Sequence, residues 1–216
     1  MINLAIPTLR RFDLLHDCVW SALAGTVKPD RVLIIDNSGG ECPPIPGAEI
    51  IGGRQPQSVA RAWNDAAQRT EGDLILSNDD IMFAPDTIEK LLDVARTNER
   101  AGIVSVLEGQ RFCLFWLNRA AYEAVGSFDE VFAPAYFEDN DYHYRLTLAG
   151  WEAPCVYTPI RHENSATMKA VSMQERETVH HERFRVCQRV YTQKWGGLPG
   201  QERYTEPYNG AQHHAP

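Results

Sequence analysis

One stretch constrains this chain more than any other: Leu74 to Phe83, reading Leu-Ile-Leu-Ser-Asn-Asp-Asp-Ile-Met-Phe. Three apolar residues and a serine lead into Asn78-Asp79-Asp80, and the sequence turns apolar again at once. Bounded by Gly72 and Pro85, so short a run suits a strand buried inside a covered sheet. Its polar end then emerges at the strand's C-terminal edge, where open α/β sheets bind ligands. Adjacent carboxylates against a core repel each other and are costly unless something cationic joins them. A hydrated divalent metal carrying a diphosphate meets that need. A plain turn, which Asn and Asp also favour, is the competing reading.

With 216 residues the chain has ample length for one large domain or two joined halves. Asp plus Glu number 29 against 21 Lys plus Arg, a formal net charge of −8 that argues against a general nucleic-acid binder. Cys18, Cys42, Cys113, Cys155 and Cys187 are scattered without metal-ligand spacing and read as small core residues of a reducing compartment. The first strand starts almost at the N-terminus, and no apolar run reaches membrane-spanning length. The expectation is a cytoplasmic chain without a leader or stable membrane insertion.

Asn3–Ile6 is a short strand, followed by helical spacing at Leu14, Leu15, Cys18, Val19, Ala22 and Leu23, with Asp13 as N-cap. Arg31–Asp36 is the clearest strand, and strand–helix–strand with short links implies a right-handed parallel crossover. A weak strand at Glu49–Ile51, a loop over Gly52–Gln57 and a helix capped by Ser58 lead to the central strand. Asp86 with Glu89 suggests a capping box for a third helix, before a strand at Gly102–Leu107. The second half predicts a strand at Phe112–Leu117, a helix at Arg119–Val125, a helix from Asp139 to Gly150 and a strand at Ala153–Tyr157. A polar turn at Arg161–Ser165, a last helix between about Met173 and Trp195, and a surface tail from Gly196 complete the chain.

Four polar clusters end apolar strands or begin helices: Pro7-Thr8, Asp36-Asn37-Ser38, Asn78-Asp79-Asp80 and Glu138-Asp139. Each alone is explained by turn or cap chemistry; their co-occurrence at strand ends of one α/β chain raises the functional reading. Their order and wording resemble the family-2 inverting glycosyltransferases of the GT-A fold over about Asn3 to Ser165. Ile6-Pro7-Thr8, Val32 to Ser38, Ser58 to Asn64, Leu76 to Asp80, Phe137 to Asp141 with Arg145 and Gly150, and His162 carry that resemblance. Gly126-Ser127-Phe128-Asp129-Glu130 is similar to the run preceding the acidic pair in the rhamnosyltransferase-like branch. The resemblance implies a Rossmann-like, mostly parallel sheet flanked by helices, with a C-terminal acceptor-side half and a final helix. Residues 1–195 then form one GT-A domain, 1–107 holding the nucleotide-sugar and 108–195 carrying acceptor and catalysis, while 196–216 form a tail that is extended or partly disordered.

On that resemblance, Pro7, Thr8, Asp36, Ser58, Arg61, Asn64, Asn78 and Asp79 bind the donor. Asn78 stands where the family has the first Asp of Asp-x-Asp, so the amide keeps an acceptor oxygen but loses the charge. Asp80 becomes the main carboxylate ligand of Mn²⁺ or Mg²⁺, with His162 completing the metal shell; imidazole favours Mn²⁺. Asp139 is the general base and Glu138 orients it or the acceptor, the two roles being exchangeable. Asp141 reads as a helix-start carboxylate favoured by the dipole. Trp116, Tyr136, Phe137 and Trp151 suit stacking on sugar faces or, equally, a core. His143, His180, His181, His213 and His214 have no spacing partner.

The function implied is metal-dependent, inverting transfer from a nucleoside-diphosphate sugar to an acceptor hydroxyl by single in-line displacement. A glycan, lipid-linked glycan, protein or modified nucleobase could supply that hydroxyl, and the oligomeric state is not legible. Two alternatives differ in product: a sugar-nucleotide-forming nucleotidyltransferase, disfavoured because Pro7-Thr8-Leu9-Arg10-Arg11 lacks a glycine-rich phosphate loop, and a non-catalytic sugar-nucleotide-binding protein, suggested by Asn78.

Overall fold

A computed structural model of the chain describes residues 1–52, 57–106, 111–163 and 181–211. Most of the expected loop after Gly52, the strand end at Leu107, Asn164 and Ser165, the last helix between Met173 and His180, and His213 and His214 lie outside the described residues.

The apolar runs pair as strands. β1 (Ile2–Thr8), β2 (Arg31–Asp36), β3 (Glu49–Gly52) and β4 (Asp73–Ser77) are parallel, with β1 between β2 and β4. α1 (Phe12–Leu23) connects β1 to β2, and α2 (Val59–Gln68) connects β3 to β4. Every residue from Val32 to Asp36 is buried, a continuous pattern that requires helices on both faces. Successive β1 residues serve opposite layers. Leu4 and Ile6 pack with α1 and with α3 (Thr87–Thr97), while Ala5 packs with α2, α4 (Arg119–Val125) and α5 (Glu138–Leu148).

Beyond β4 the sheet reverses once. β7 (Leu114–Leu117) runs antiparallel between β4 and β6 (Ile103–Val106), and β8 (Cys155–Val156) adds parallel to β6, giving the order β3-β2-β1-β4-β7-β6-β8. The mostly parallel α/β sheet expected from the sequence is therefore present. Two short strands, β5 (Ile81–Met82) and β9 (Arg161–His162), form a separate antiparallel pair.

Helix starts separate into those with a free cap and those with a better-placed partner. Ser58 accepts from Arg61 N at 3.1 Å, the expected cap. Asp13 is not the N-cap of α1: the helix begins at Phe12, and Asp13 pairs with Arg11 at 2.7 Å. The expected capping box of α3 also does not form. Asp86 reaches Lys90 at 2.7 Å instead, and Glu89 accepts from Thr26 Oγ1 at 2.8 Å, because charged and hydroxyl donors lie closer than the backbone.

The last described helix, α6 (Arg183–Trp195), is joined to α5 by a buried ionic knot. Asp141 is 0 % exposed. Its Oδ1 accepts from Trp195 Nε1 at 2.8 Å and lies 2.6 Å from Lys194 Nζ; its Oδ2 accepts from Arg145 Nε at 2.8 Å. Lys194 also meets Asp129 at 2.6 Å, and Arg145 donates to the carbonyls of Val125 and Ser127. Asp141 lies in the first turn of α5, as expected of a helix-start carboxylate, and is also the hub of this knot. The segment after α6 follows the surface but is tied down as far as Ala211. Arg203 N and Tyr204 N donate to Trp195 O, Tyr144 donates to Tyr204 O, and the Tyr191 hydroxyl bonds Glu202. Among the described residues no helix is long and apolar enough to cross a membrane.

Lys194→Met removes the cation shared by Asp129 and Asp141, leaving a fully buried carboxylate short of a partner. The expected loss is about 3 kcal/mol, read as a lower urea midpoint at unchanged slope; an unmoved midpoint would show the knot contributes no net stability.

Candidate active site

The parallel register places Thr8 opposite Asp36 at the C-terminal edge of the sheet. Pro7 precedes them, half-buried against Ile35. Asp36 Oδ1 accepts from both the backbone N and the hydroxyl of Ser38 at 2.7 and 2.5 Å, so the carboxylate shapes its own turn. Next to it Asn37 Oδ1 is buried with no hydrogen-bond partner.

From the end of β4 the three polar residues fan out. Asn78 lines a cavity, its backbone N held by Cys113 O at 2.7 Å. Asp79 turns to β1 and accepts from Thr8 Oγ1 at 2.7 Å; burial pushes its pKa up to about 6, the Thr8 hydroxyl opposing and Asp80 adding to the rise. Asp80 faces His162, whose Nε2 lies 3.1 Å from Asp80 Oδ1, both side chains under a tenth exposed. The β5–β9 pairing brings this histidine in from a late point in the chain, Ile81 being opposite His162.

Burial opposes charge on His162, yet Asp80 and Cys113 beside it outweigh burial and raise its pKa to about 9, so a metal bound there would displace a proton. A carboxylate oxygen and an imidazole nitrogen are a suitable mixed donor set for Mn²⁺. Among the described residues no cluster of three or more His, Cys, Asp or Glu side chains could hold a metal. The remaining ligands would then come from water and phosphate oxygens, as is usual for Mg²⁺-type sites.

The acidic pair sits on the first turn of α5. Tyr136 and Phe137 precede it with φ of 86° and 72°, left-handed values unusual for aromatic residues. Neighbouring chain braces that turn: Val59 N donates to Pro134 O, and the Cys187 thiol to Phe132 O and Ala135 O. Glu138 and Asp139 open into the same cavity as Asn78, of about 470 Å³, whose other walls include Trp63, Phe112, Tyr136, Phe137 and Phe184. Glu138 is buried with Oε2 unpartnered; burial first, and the charge of Asp139 second, hold its pKa well above the usual carboxylate range. Asp139 is half-buried, accepts from Asn140 N at 2.8 Å, and is also raised by burial.

Several residues named from the sequence face elsewhere. The Ser58 hydroxyl is engaged as a cap. Arg61 is half-exposed and paired with Asp65 and Glu130 at 3.1 and 3.6 Å. Asn64 spends both ends of its buried amide on the second half: Oδ1 accepts from Phe128 N at 2.9 Å and Nδ2 donates to Phe128 O at 2.9 Å. It latches the Gly126–Glu130 run onto α2. Trp116 donates from Nε1 to Asp73 at the opposite edge of the sheet. Trp151 packs over Gly102, where its Cβ lies 3.0 Å from the place a glycine Cβ would occupy. Neither indole reaches the cavity, whereas Tyr136 and Phe137 do. Trp63, Phe112 and Phe184 are cavity residues that sequence reasoning did not single out. In the sequence Trp63 reads as one face of the helix capped by Ser58, Phe112 as the start of an apolar strand, and Phe184 only as part of the last helix.

A family model described as glycosyl transferase family 2 matches residues 4–120. Curated proteins give no match. Among solved structures, the mannosyltransferase PcManGT from Pyrobaculum calidifontis, in complex with GDP-Man and Mn²⁺, superimposes with a TM-score of 0.61 at 15% identity. The alignment covers 72% of this chain and 54% of that one. The S. aureus TarS 1-349 structure gives a TM-score of 0.56 at 9% identity, over 73% of this chain and 60% of that one. The chain thus spans little more than half the length of either structure, and at such identities the likeness is one of fold.

The upward shift of Glu138 has a sign that can be checked. Below about pH 4 the group is protonated folded or unfolded and adds no penalty; as pH rises toward its folded pKa, stability is lost. Glu138→Gln is expected to melt several degrees above the parent near pH 8, at about 2–4 °C per kcal/mol for this size, with the gap closing toward pH 4. A pH-independent gap would place the carboxylate in ordinary solvent.

Proposed function

The chain belongs to glycosyl transferase family 2, and on that premise we propose that it transfers a sugar from a nucleoside-diphosphate sugar to an acceptor hydroxyl with inversion, assisted by Mn²⁺ or Mg²⁺. What carries this reading is the chamber shared by Asn78, from the first half of the chain, and the Glu138–Asp139 pair from the second. The GDP-Man and Mn²⁺ of the Pyrobaculum structure support the same donor and metal classes. In this proposal residues 1–107 hold the donor and 108–195 the acceptor. The Gly126–Glu130 run supports assignment to the rhamnosyltransferase-like branch.

Each residue's task follows from its surroundings. Thr8, Asp36 and Asn37 receive base and ribose at the sheet edge, Asp79 keeping Thr8 in place. Asp80 and His162 would hold the cation, which when bound would supply positive charge to stabilise the leaving diphosphate. Two neighbouring buried carboxylates do not ionise together, so the pair retains one proton over a range of pH. Asp139, the more solvated, is the ionised member and takes the acceptor proton as its oxygen attacks the anomeric carbon from the face opposite the diphosphate. Glu138 keeps its proton and donates a hydrogen bond toward the acceptor. A single base on one face suffices for one displacement, and one displacement inverts the anomer.

A thermal-shift panel of nucleoside diphosphates and their sugars, with and without Mn²⁺, tests the donor half. Asp80→Ala should abolish the metal-dependent part of the shift. Asp139→Asn should keep donor binding and lower turnover on the order of 10²–10⁴-fold; normal turnover removes it as base. Free nucleoside diphosphate with glycosylated acceptor is the expected product. Pyrophosphate release would identify a nucleotidyltransferase, and binding without product a non-catalytic protein.

A further inference from the structure

We propose that the first turn of α6 forms the acceptor subsite, with Phe184 stacking on one face of a saccharide ring, so that the hydroxyl acceptor is a glycan. The inference rests on the glycosyltransferase reading and narrows it to a substrate class. Phe184 lines the cavity of Glu138 and Asp139 yet leaves 41 % of its surface exposed. A phenyl ring left in water next to reactive carboxylates is the position at which a ligand recovers apolar contact. The shelf behind it is firm. Tyr136 and Phe137 meet the Phe184 ring at centroid distances of 5.6 and 5.1 Å, and Cys187, one turn on, is anchored to the chain before them.

The mixture of groups selects the occupant. A pyranose offers an apolar C–H face and hydroxyls projecting around its rim. The cavity answers with an aromatic face at Phe184 and with amide and carboxyl groups at Asn78, Asn140, Glu138 and Asp139. An alkyl alcohol would fill the aromatic side but leave those polar groups desolvated and unpaired. A polynucleotide would bring phosphates toward two acids of a chain whose net charge is −8.

The full chain should be assayed by saturation-transfer NMR against free pyranosides, aliphatic alcohols, short Ser/Thr peptides and a short oligonucleotide. Donor hydrolysis to water, without acceptor, is followed separately. Pyranosides should bind, with saturation strongest on the C–H protons of one ring face. Phe184→Ala should weaken that binding roughly 10-fold, the scale of one aromatic contact, and Phe184→Tyr should restore it. The proposal is overturned if no pyranoside binds, if peptide, alcohol or oligonucleotide binds in preference, or if Phe184→Ala leaves pyranoside binding within twofold. Donor hydrolysis missing from the parent protein would count against the glycosyltransferase reading instead, and pyranoside binding is read independently of it.

Discussion

Parallel pairing of β1 with β2 and β4 is the constraint from which the site is built. Once Thr8 is opposite Asp36 and Ala5 opposite Leu76, the residues following Ser77 must leave the sheet beside Thr8. The hydrogen bond from Thr8 to Asp79 is a direct consequence. A one-residue slip in either pairing would send the buried residues of the strand to the wrong layer, so the core enforces the alignment of the polar ends. This sheet edge thus inherits its precision from apolar packing several residues away.

The side carrying Glu138 and Asp139 is held by different physics. α5 carries two carboxylates whose ionised forms burial disfavours, on a turn with two left-handed aromatic residues. Such an element needs support from outside itself. Asp141, one turn after Glu138, receives it from Arg145, Lys194 and Trp195, so that α6 holds α5 through a fully desolvated carboxylate. Removing charge from water in this way stabilises little by itself, whereas leaving any one partner alone is costly, so the members of the knot hold one another in place. The same helix that supplies Lys194 and Trp195 at its end supplies Phe184 at its start. Phe184 and the Glu138–Asp139 pair therefore stand on two helices tied together by one buried knot.

The two halves of the chain were unequally legible. In the first, each polar cluster follows an apolar run of strand length, and rules for short links and parallel crossovers suffice to bring Thr8, Asp36 and Asn78 to one edge. The second half has short strands and aromatic loops, and its residues were judged by type. Indoles near an acidic pair suggested sugar stacking, but Trp116 and Trp151 are spent at the opposite edge, against Asp73 and Gly102. Asn64 looked like a ligand for the donor and serves as a latch on Phe128, because an amide binds backbone as well as it binds ribose.

The amino-acid order alone determined the α/β layering, the sheet's parallel half and which acids stand at strand ends, since these follow from hydrophobic periodicity and from where the apolar runs stop. Only the tertiary structure decided which neighbours those acids have. The reversed β7, the β5–β9 pair that brings His162 to Asp80, and the α5–α6 knot all join residues far apart in the chain, for which no local spacing rule exists. Periodicity reports which face of an element is buried; what lies across from that face is a property of the packed whole.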